Sequence, residues 1–113
     1  MTQVIGPEQM DLLVSAVRDG KIVAFPTETV YGVACLFDDL KGLDRIMEIK
    51  KRNPNKAVTL MLSKKDDVKK YGLVDEGTQR VIDKFMPGRM TIVLKRLDSV
   101  DSRHVSGKDT IGI

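Results

Sequence analysis

Residues 26–32, with the sequence PTETVYG, concentrate side chains that can bind a small polar molecule. Two hydroxyls, one carboxylate and one phenol fall within the five positions from 27 to 31. The segment follows a strand that we predict at residues 21–25, and open α/β sheets bind ligands just beyond the carboxyl ends of their strands. Hydrogen bonds from such groups can orient a small polar substrate. The alternative is an ordinary turn whose threonines satisfy nearby backbone groups.

Residues 50–56, with the sequence KKRNPNK, carry four cations in seven positions. Arginine offers a planar fork to phosphate oxygens and lysine offers a mobile point charge, so this segment can act as a phosphate clamp. Lys50 falls on the apolar side of the preceding predicted helix and Lys51 does not, so we predict that Lys50 and Arg52 face a cleft. The alternative is that these cations are solvated and complement the dipole at the carboxyl end of that helix.

A third segment, residues 86–91 with the sequence MPGRMT, contains a proline followed by a glycine. This pair predicts a tight turn at which a ligand can approach the backbone, and Arg89 adds a further cation. A plain connection from a helix to a strand is the alternative. The chain contains neither a GxxxxGK[ST] loop nor a GxGxxG fingerprint, so neither a P-loop nor a Rossmann phosphate site is indicated.

Helices and strands must position these segments, and their predicted alternation indicates an α/β or α+β fold. Helical periodicity begins near Pro7 and stops at Gly20. A second helix can be capped by Asp38 or Asp39, and a short charged helix can be capped by Ser63. No linker divides the chain, which predicts one domain over residues 1–113. We further expect a helix at residues 75–85 and strands at residues 21–25, 58–62, 91–95 and 110–113.

The composition excludes several classes of protein. The 113 residues have a formal net charge of +3, and 42% are hydrophobic, which is typical of a globular protein. One cysteine excludes an internal disulfide, and one cysteine with one histidine excludes a His/Cys zinc cage within the chain. Cys35 is predicted to be a small core residue rather than a nucleophile, and His104 has no marked triad partners. The apolar runs are too short to span a membrane and no secretory signal begins the chain, so we expect a cytoplasmic protein with no membrane partner.

Four segments, taken in order, resemble the YrdC-like family of threonylcarbamoyl-AMP synthases. Residues 20–34 look like the family's PTETVYG signature with its preceding strand, and residues 46–52 look like its helix ending in K-x-R. Residues 85–94 are similar to its PGPxT segment, and residues 110–113 look like the strand that leads into an arginine and a proline. The resemblance extends from residue 6 onward. It implies an α/β fold with a twisted, mostly mixed open sheet flanked by helices.

The resemblance also implies an ATP-dependent nucleotidyltransferase. Members of the family condense L-threonine, bicarbonate and ATP into threonylcarbamoyl-adenylate and release pyrophosphate. Partner proteins then transfer the threonylcarbamoyl group to adenosine 37 of tRNA. Magnesium would travel with ATP as part of the substrate, with no metal ligands in the protein and no tightly bound cofactor. Binding of tRNA, directly or through those partner proteins, and a homodimer are further implications that the resemblance leaves open.

The resemblance also implies roles for single residues, according to their positions in the matching motifs. Lys50 and Arg52 would be catalytic residues that hold phosphate oxygens of ATP and stabilise the charge that builds up as pyrophosphate leaves. Lys56 and Pro87 fall at positions of ATP contacts. The substrate threonine would be held by Thr29 and Thr91, in a pocket shaped also by Thr27 and Tyr31.

The chain departs from the family pattern in three ways. Arg89 replaces the second proline of PGP, and Asn53 and Ala57 stand where many members have proline. The sequence ends at Ile113 inside a predicted strand, so we expect this chain to represent the N-terminal portion of a YrdC-like domain. Two alternatives to the synthase follow: a truncated scaffold that self-associates through its open sheet edge, or a non-catalytic module for double-stranded RNA or tRNA. The module would use a basic surface formed by Lys50, Lys51, Arg52, Lys56, Arg89, Lys95 and Arg96.

Overall fold

The computed structural model describes residues 2–113 and shows a mixed α/β chain with short helices and short strands. Its residues cluster into two units, which meet in the sequence between Arg52 and Asn53. The helices are α1 (Met10–Arg18), α2 (Leu40–Ile49) and α3 (Glu76–Phe85). The strands are β1 (Val23–Pro26), β2 (Tyr31–Ala34), β3 (Val93–Lys95) and β4 (Thr110–Gly112), and 3-10 turns lie at Pro7–Gln9, Lys65–Lys70 and Ser102–Val105.

In the first unit, β1 and β2 form an antiparallel hairpin. Val23 pairs with Ala34 at one end of the hairpin, and Pro26 pairs with Tyr31 at the other. The predicted strand at residues 21–25 is therefore shifted toward the carboxyl end, and Pro26 belongs to the strand that it was expected to end. Proline is tolerated there because it stands at the last position of a strand in a two-stranded sheet, where a missing amide donor costs little.

Helix α2 begins and ends as a result of identifiable backbone contacts. Asp39 caps the helix, because its carboxylate accepts a hydrogen bond of 2.9 Å from the Gly42 amide. At the other end the Lys51 amide donates to the Glu48 carbonyl at 3.1 Å, and the Arg52 amide donates to the Met47 carbonyl at 2.9 Å. These two bonds form a Schellman motif, so the residues that carry the cations stand in a defined turn and not in a frayed helix end.

In the second unit, β3 and β4 pair antiparallel and lie over a small apolar core. The pairs are Val93 with Gly112, Leu94 with Ile111, and Lys95 with Thr110. The inward positions alternate with exposed ones, as expected for strands with one covered face. The buried hydrophobic side chains of this unit are Val68, Ile82, Leu94, Val100, Val105, Ile111 and Ile113.

The prediction of a strand at residues 58–62 is wrong. This segment is an irregular extended chain that lies against β4, where the Leu60 amide donates to the Gly112 carbonyl at 2.8 Å. Its side chains still alternate, with Val58, Leu60 and Leu62 half-buried and the two residues between them exposed. The alternating apolar pattern thus predicted which side chains turn inward, whereas a continuous hydrogen-bond ladder depends on a partner strand elsewhere in the chain.

The remaining element predictions are confirmed with small shifts. Helix α3 starts after Asp75, whose carboxylate accepts from the Thr78 amide at 2.7 Å. The short charged helix is the 3-10 turn Lys65–Lys70, and it begins after Lys64 rather than at Ser63. Among residues 2–113, no helix is both long and apolar enough to cross a lipid bilayer.

Candidate active site

The tip of the β1–β2 hairpin contains the threonines of the PTETVYG segment. The Thr27 amide donates to the Val30 carbonyl at 3.2 Å, the Thr27 hydroxyl donates to the same carbonyl, and the Thr29 amide donates to the Thr27 hydroxyl at 3.4 Å. The Thr27 side chain therefore holds the shape of the loop. For Thr29, which is exposed, the described residues provide no side-chain hydrogen-bond partner. Its hydroxyl is therefore available for a contact outside this loop.

The hairpin pleat places Thr27 and Tyr31 on different faces. Gly32 lies on the half-buried face with Phe25 and Thr27, because a methyl group added to Gly32 would stand 3.3 Å from the Thr27 methyl. Tyr31 pairs with Pro26 on the opposite face, and 74% of its surface is exposed. Thr27 therefore acts from the inner face of the hairpin, whereas the Tyr31 phenol is accessible on the outer face.

The cationic segment, residues 50–56, is exposed along its whole length. Lys50 is the C-cap of α2, and Lys51 follows it with a left-handed backbone (φ 49°). Asn53 then shapes the next turn, because its side-chain oxygen accepts from the Asn55 amide and its carbonyl accepts from the Lys56 amide, both at 2.9 Å. The backbone on both sides of Arg52 is thus fixed by hydrogen bonds, so the cations are displayed from an ordered chain.

The Pro87 segment forms a tight turn between α3 and β3. The Met86-Pro87 peptide bond is cis, and the Met90 amide donates to the Gly88 carbonyl at 2.9 Å. A methyl group added to Gly88 would stand 2.7 Å from the Phe85 carbonyl oxygen, which only glycine avoids. The predicted tight turn is confirmed, and Pro87 and Arg89 are both exposed on it, whereas the approach of a ligand to its backbone stays a prediction.

Thr91 follows this turn and lies beside Gly112 of β4, on the exposed side of the sheet. The predicted site residues are therefore displayed in two groups, one in each unit. The first unit contains Thr27, Thr29, Tyr31, Lys50 and Arg52, and the second contains Lys56, Pro87 and Thr91. Their assignment to ATP and threonine stays a prediction.

Thr59 is a residue that sequence reasoning missed. It is exposed, and its side chain lies next to Gly112, as that of Thr91 does. The available signal was the alternation within residues 58–62, where the polar residue stands out of phase with the inward-facing apolar ones. The segment was assigned as an apolar strand, so the hydroxyl within it was overlooked.

Cys35 and Arg96 have structural roles. Burial, with a smaller effect from the Asp39 carboxylate, raises the pKa of the Cys35 thiol above its ordinary value. The thiol therefore stays protonated, which is the wrong state for a nucleophile. The Arg96 guanidinium donates to the carbonyls of Lys108 at 3.0 Å, Leu97 at 3.4 Å and Val100. Arg96 thus ties the loop before β4 to β3 and is withdrawn from the predicted basic surface.

Potential metal ligands are scattered over the described part of the chain. Within residues 2–113, no three side chains among histidine, cysteine, aspartate and glutamate come together as metal ligands. A magnesium ion that arrived with ATP would be held by phosphate oxygens and water.

Comparisons with known proteins agree with the arrangement of these segments. A protein of Methanocaldococcus jannaschii, provisionally named a threonylcarbamoyl-AMP synthase, is 33% identical over 104 residues, which is 92% of this chain and 49% of that protein. Sua5 of Pyrococcus abyssi, solved in complex with L-threonine, matches with a TM-score of 0.83 and 28% identity over 97% of this chain and 33% of its own. YciO of Escherichia coli matches with a TM-score of 0.84 and 27% identity over 99% of this chain and 58% of its own.

These matches cover nearly all of this chain but only part of each relative. The chain spans about half the length of the M. jannaschii protein and a smaller share of the P. abyssi protein. The Sua5_yciO_yrdC family model, described as "Telomere recombination", matches residues 15–113. The resemblance found in the sequence is thereby confirmed: the chain belongs to the Sua5/YciO/YrdC family.

Proposed function

We propose that this chain contributes to the synthesis of threonylcarbamoyl-adenylate from L-threonine, bicarbonate and ATP. The observation that carries the proposal is the ordered, exposed cationic segment after α2, in a chain whose named relatives include threonylcarbamoyl-AMP synthases. The product would serve the modification of adenosine 37 in tRNA, a cytoplasmic process. The reaction is an adenylyl transfer, so the enzyme class is a nucleotidyltransferase.

The chemistry needs charge stabilisation more than covalent catalysis. The threonine amine adds to the carbon of bicarbonate, and loss of water gives a carbamate. A carbamate oxygen attacks the α-phosphorus of ATP, the bond to the bridging oxygen breaks, and pyrophosphate leaves with the electron pair. Negative charge collects on the phosphate oxygens during this step. Lys50 and Arg52 would stabilise that charge as catalytic residues.

The other predicted contacts would position substrates. Lys56 and Pro87 would contact ATP, and magnesium would accompany its phosphates. Thr29 and Thr91 would bind L-threonine, with Thr27 and Tyr31 shaping the pocket. The binding of L-threonine by P. abyssi Sua5 supports this part of the proposal. Holding three substrates in the reacting geometry is itself a large source of rate enhancement.

Pyrophosphate release by the whole chain tests the proposal. The chain is incubated with ATP and magnesium, with and without L-threonine and bicarbonate. Release that requires both co-substrates is the expected result. Folded chain that releases no pyrophosphate and binds neither ATP nor L-threonine would overturn the proposal.

RNA binding is the competing function, and its predicted surface is smaller than the sequence suggested. Because the Arg96 guanidinium is bound to backbone carbonyls, it does not add a phosphate contact. Binding of tRNA that depends steeply on salt and survives Lys50→Ala would favour the module. Loss of ATP binding in the same variant would favour the synthase.

A further inference from the structure

The exposed face of the sheet in the second unit has an open position between two threonines. A methyl group built on Gly112 would stand 3.6 Å from the Thr59 hydroxyl oxygen and 3.5 Å from the Thr91 methyl carbon. Both threonines are exposed. The gap above Gly112 is therefore lined on one side by the Thr59 hydroxyl, with the Thr59 methyl carbon slightly farther away at 4.0 Å, and on the other side by the Thr91 methyl group.

Backbone hydrogen bonds hold both sides of this gap. The Leu60 amide, next to Thr59, donates to the Gly112 carbonyl at 2.8 Å. Ile92, next to Thr91, exchanges two hydrogen bonds of 2.9 Å with Ile113. Thr59 is thus adjacent in the sequence to a residue bonded to Gly112, and Thr91 is adjacent to a residue bonded to Ile113. Both threonines lie outside the strands, and the backbone hydrogen bonds of their neighbours fix them beside β4.

The fold itself does not require glycine at position 112. Its backbone is outside the left-handed region, which among the described glycines only Gly20 and Gly107 occupy. An added methyl group would meet its neighbours at 3.5–4.0 Å, which is ordinary van der Waals contact. Neither strain nor crowding explains the missing side chain. The open position can admit part of a ligand, because glycine lets a ligand approach the backbone closely.

We propose that Thr59 determines specificity for the side chain of the amino-acid substrate. This inference rests on the proposed function. The β-carbon of L-threonine carries one hydroxyl and one methyl group, which match the hydroxyl of Thr59 and the methyl group of Thr91 across the gap. Thr59 exchanges a hydrogen bond with the substrate hydroxyl, and Thr91 packs against the substrate methyl group. L-valine lacks the hydroxyl and L-serine lacks the methyl group, so each forfeits one contact.

Titration of the whole chain with L-threonine, L-valine and L-serine tests the inference. Thr59→Val keeps the shape and removes the hydroxyl, so we expect L-threonine affinity to fall roughly five- to tenfold, as for loss of a net hydrogen bond. L-valine affinity should not fall, which shrinks the preference between the two ligands. Thr59→Ser restores the hydroxyl and should restore L-threonine binding.

Gly112→Ala provides a second variant that does not depend on Thr59. Its added methyl group fills the gap without straining the fold, so circular dichroism and the unfolding midpoint should stay unchanged while L-threonine affinity falls. Gly77→Ala is the matched control, since its added methyl group also meets neighbours at ordinary distances (3.6 and 3.8 Å) but lies on α3. That control should bind L-threonine as the unsubstituted chain does.

The outcomes separate the two proposals. If the unsubstituted chain binds L-threonine and both Thr59→Val and Gly112→Ala leave affinity and preference unchanged, the role of Thr59 is overturned and the proposed function stands. If the unsubstituted chain binds no L-threonine, the role of Thr59 is overturned, and the proposed function is overturned as well when the folded chain also binds no ATP and releases no pyrophosphate. Weakened L-threonine binding in both Thr59→Val and Gly112→Ala, together with restored binding in Thr59→Ser, supports the inference.

Discussion

At the scale of single residues, threonines of one loop have different tasks. The Thr27 hydroxyl donates to the hairpin backbone, whereas Thr29 is exposed and its hydroxyl has no partner among the described residues. The sequence allowed two explanations for these threonines, a self-satisfied turn and a substrate contact. The structure shows the first for Thr27. The second stays a prediction for Thr29.

Lys50→Ala and Arg52→Ala should each weaken ATP binding by about tenfold or more, because a charge-assisted hydrogen bond contributes about 1.5–3 kcal/mol. Titration with ATP and magnesium measures this, and circular dichroism checks that the fold is intact. Lys41→Ala is the matched control, since Lys41 is an exposed cation at the other end of α2. Normal ATP binding in both variants would show that the phosphate contacts lie elsewhere.

Asp101 should make stability sensitive to acid. Hydrogen bonds from the Arg103 side chain and amide lower the pKa of this carboxyl from 3.8 to about 2 in the folded chain. A lowered pKa means that the stabilisation is fully present above the unfolded value near 4 and is lost as pH falls toward 2. We expect Asp101→Asn to lower the unfolding midpoint at pH 7 and to have no effect near pH 2.

Thermal unfolding followed at pH 7, 4 and 2 measures this dependence. Asp98→Asn, which changes an exposed carboxylate in the same loop, is the comparison variant. An equal loss of stability in Asp101→Asn at all three pH values would contradict the assignment.

At the scale of elements, α1 and α2 end in the same way with different residues. Beyond α1 the Gly20 amide donates to the Val17 carbonyl and the Lys21 amide to the Ala16 carbonyl, which is the Schellman pattern seen after α2. The left-handed position is Gly20 (φ 82°) in the first case and Lys51 (φ 49°) in the second. A lysine there carries a conformational cost that glycine avoids.

Lys51→Gly should therefore stabilise the fold by about 1 kcal/mol, the cost of a left-handed residue with a side chain. Denaturant unfolding measures the change. Lys50→Gly is the control, because Lys50 has an ordinary helical backbone (φ −82°) and glycine there should destabilise α2. Destabilisation of similar size in both variants would show that the turn at Lys51 does not depend on the left-handed residue.

The cap of α2 offers a second test at this scale. The sequence allowed either Asp38 or Asp39 to cap the helix, and the structure assigns the cap to Asp39. Asp39→Ala should cost about 1 kcal/mol of stability, the usual worth of an N-cap hydrogen bond. Asp38→Ala should be nearly neutral in the same unfolding experiment. The reverse order of the two effects would refute the assigned cap.

At the scale of the whole molecule, the formal charge of +3 is less informative than the placement of its cations. Residues 50–56 and Arg89 are exposed, whereas Arg96 is bound to backbone carbonyls. ATP affinity should therefore fall as salt rises from 0.05 to 0.5 M, because exposed charges are screened over about a Debye length. ATP titrations at several salt concentrations measure this. An affinity for ATP that is independent of salt would argue against contacts through these exposed cations.

The sequence by itself predicted the helices and the order of the motif segments, but it left the cap of α2 open between Asp38 and Asp39. Helical periodicity, the capping aspartates and Gly20 act within a few residues, so local sequence is enough to predict them. The family resemblance was also readable, because short motifs in a fixed order do not depend on knowledge of the packing. The extent of strands and the role of single side chains were less readable.

Only the tertiary structure decided which strands pair and which side chains meet. The pairing of β3 with β4, the placement of the extended chain at residues 58–62 beside β4, and the bond from Arg96 to the Lys108 carbonyl depend on partners distant in the sequence. The same holds for the gap at Gly112, whose two sides come from residues 59 and 91. Local patterns state which face of a segment is apolar, but a hydrogen-bond ladder or a shared pocket exists only once distant segments are brought together.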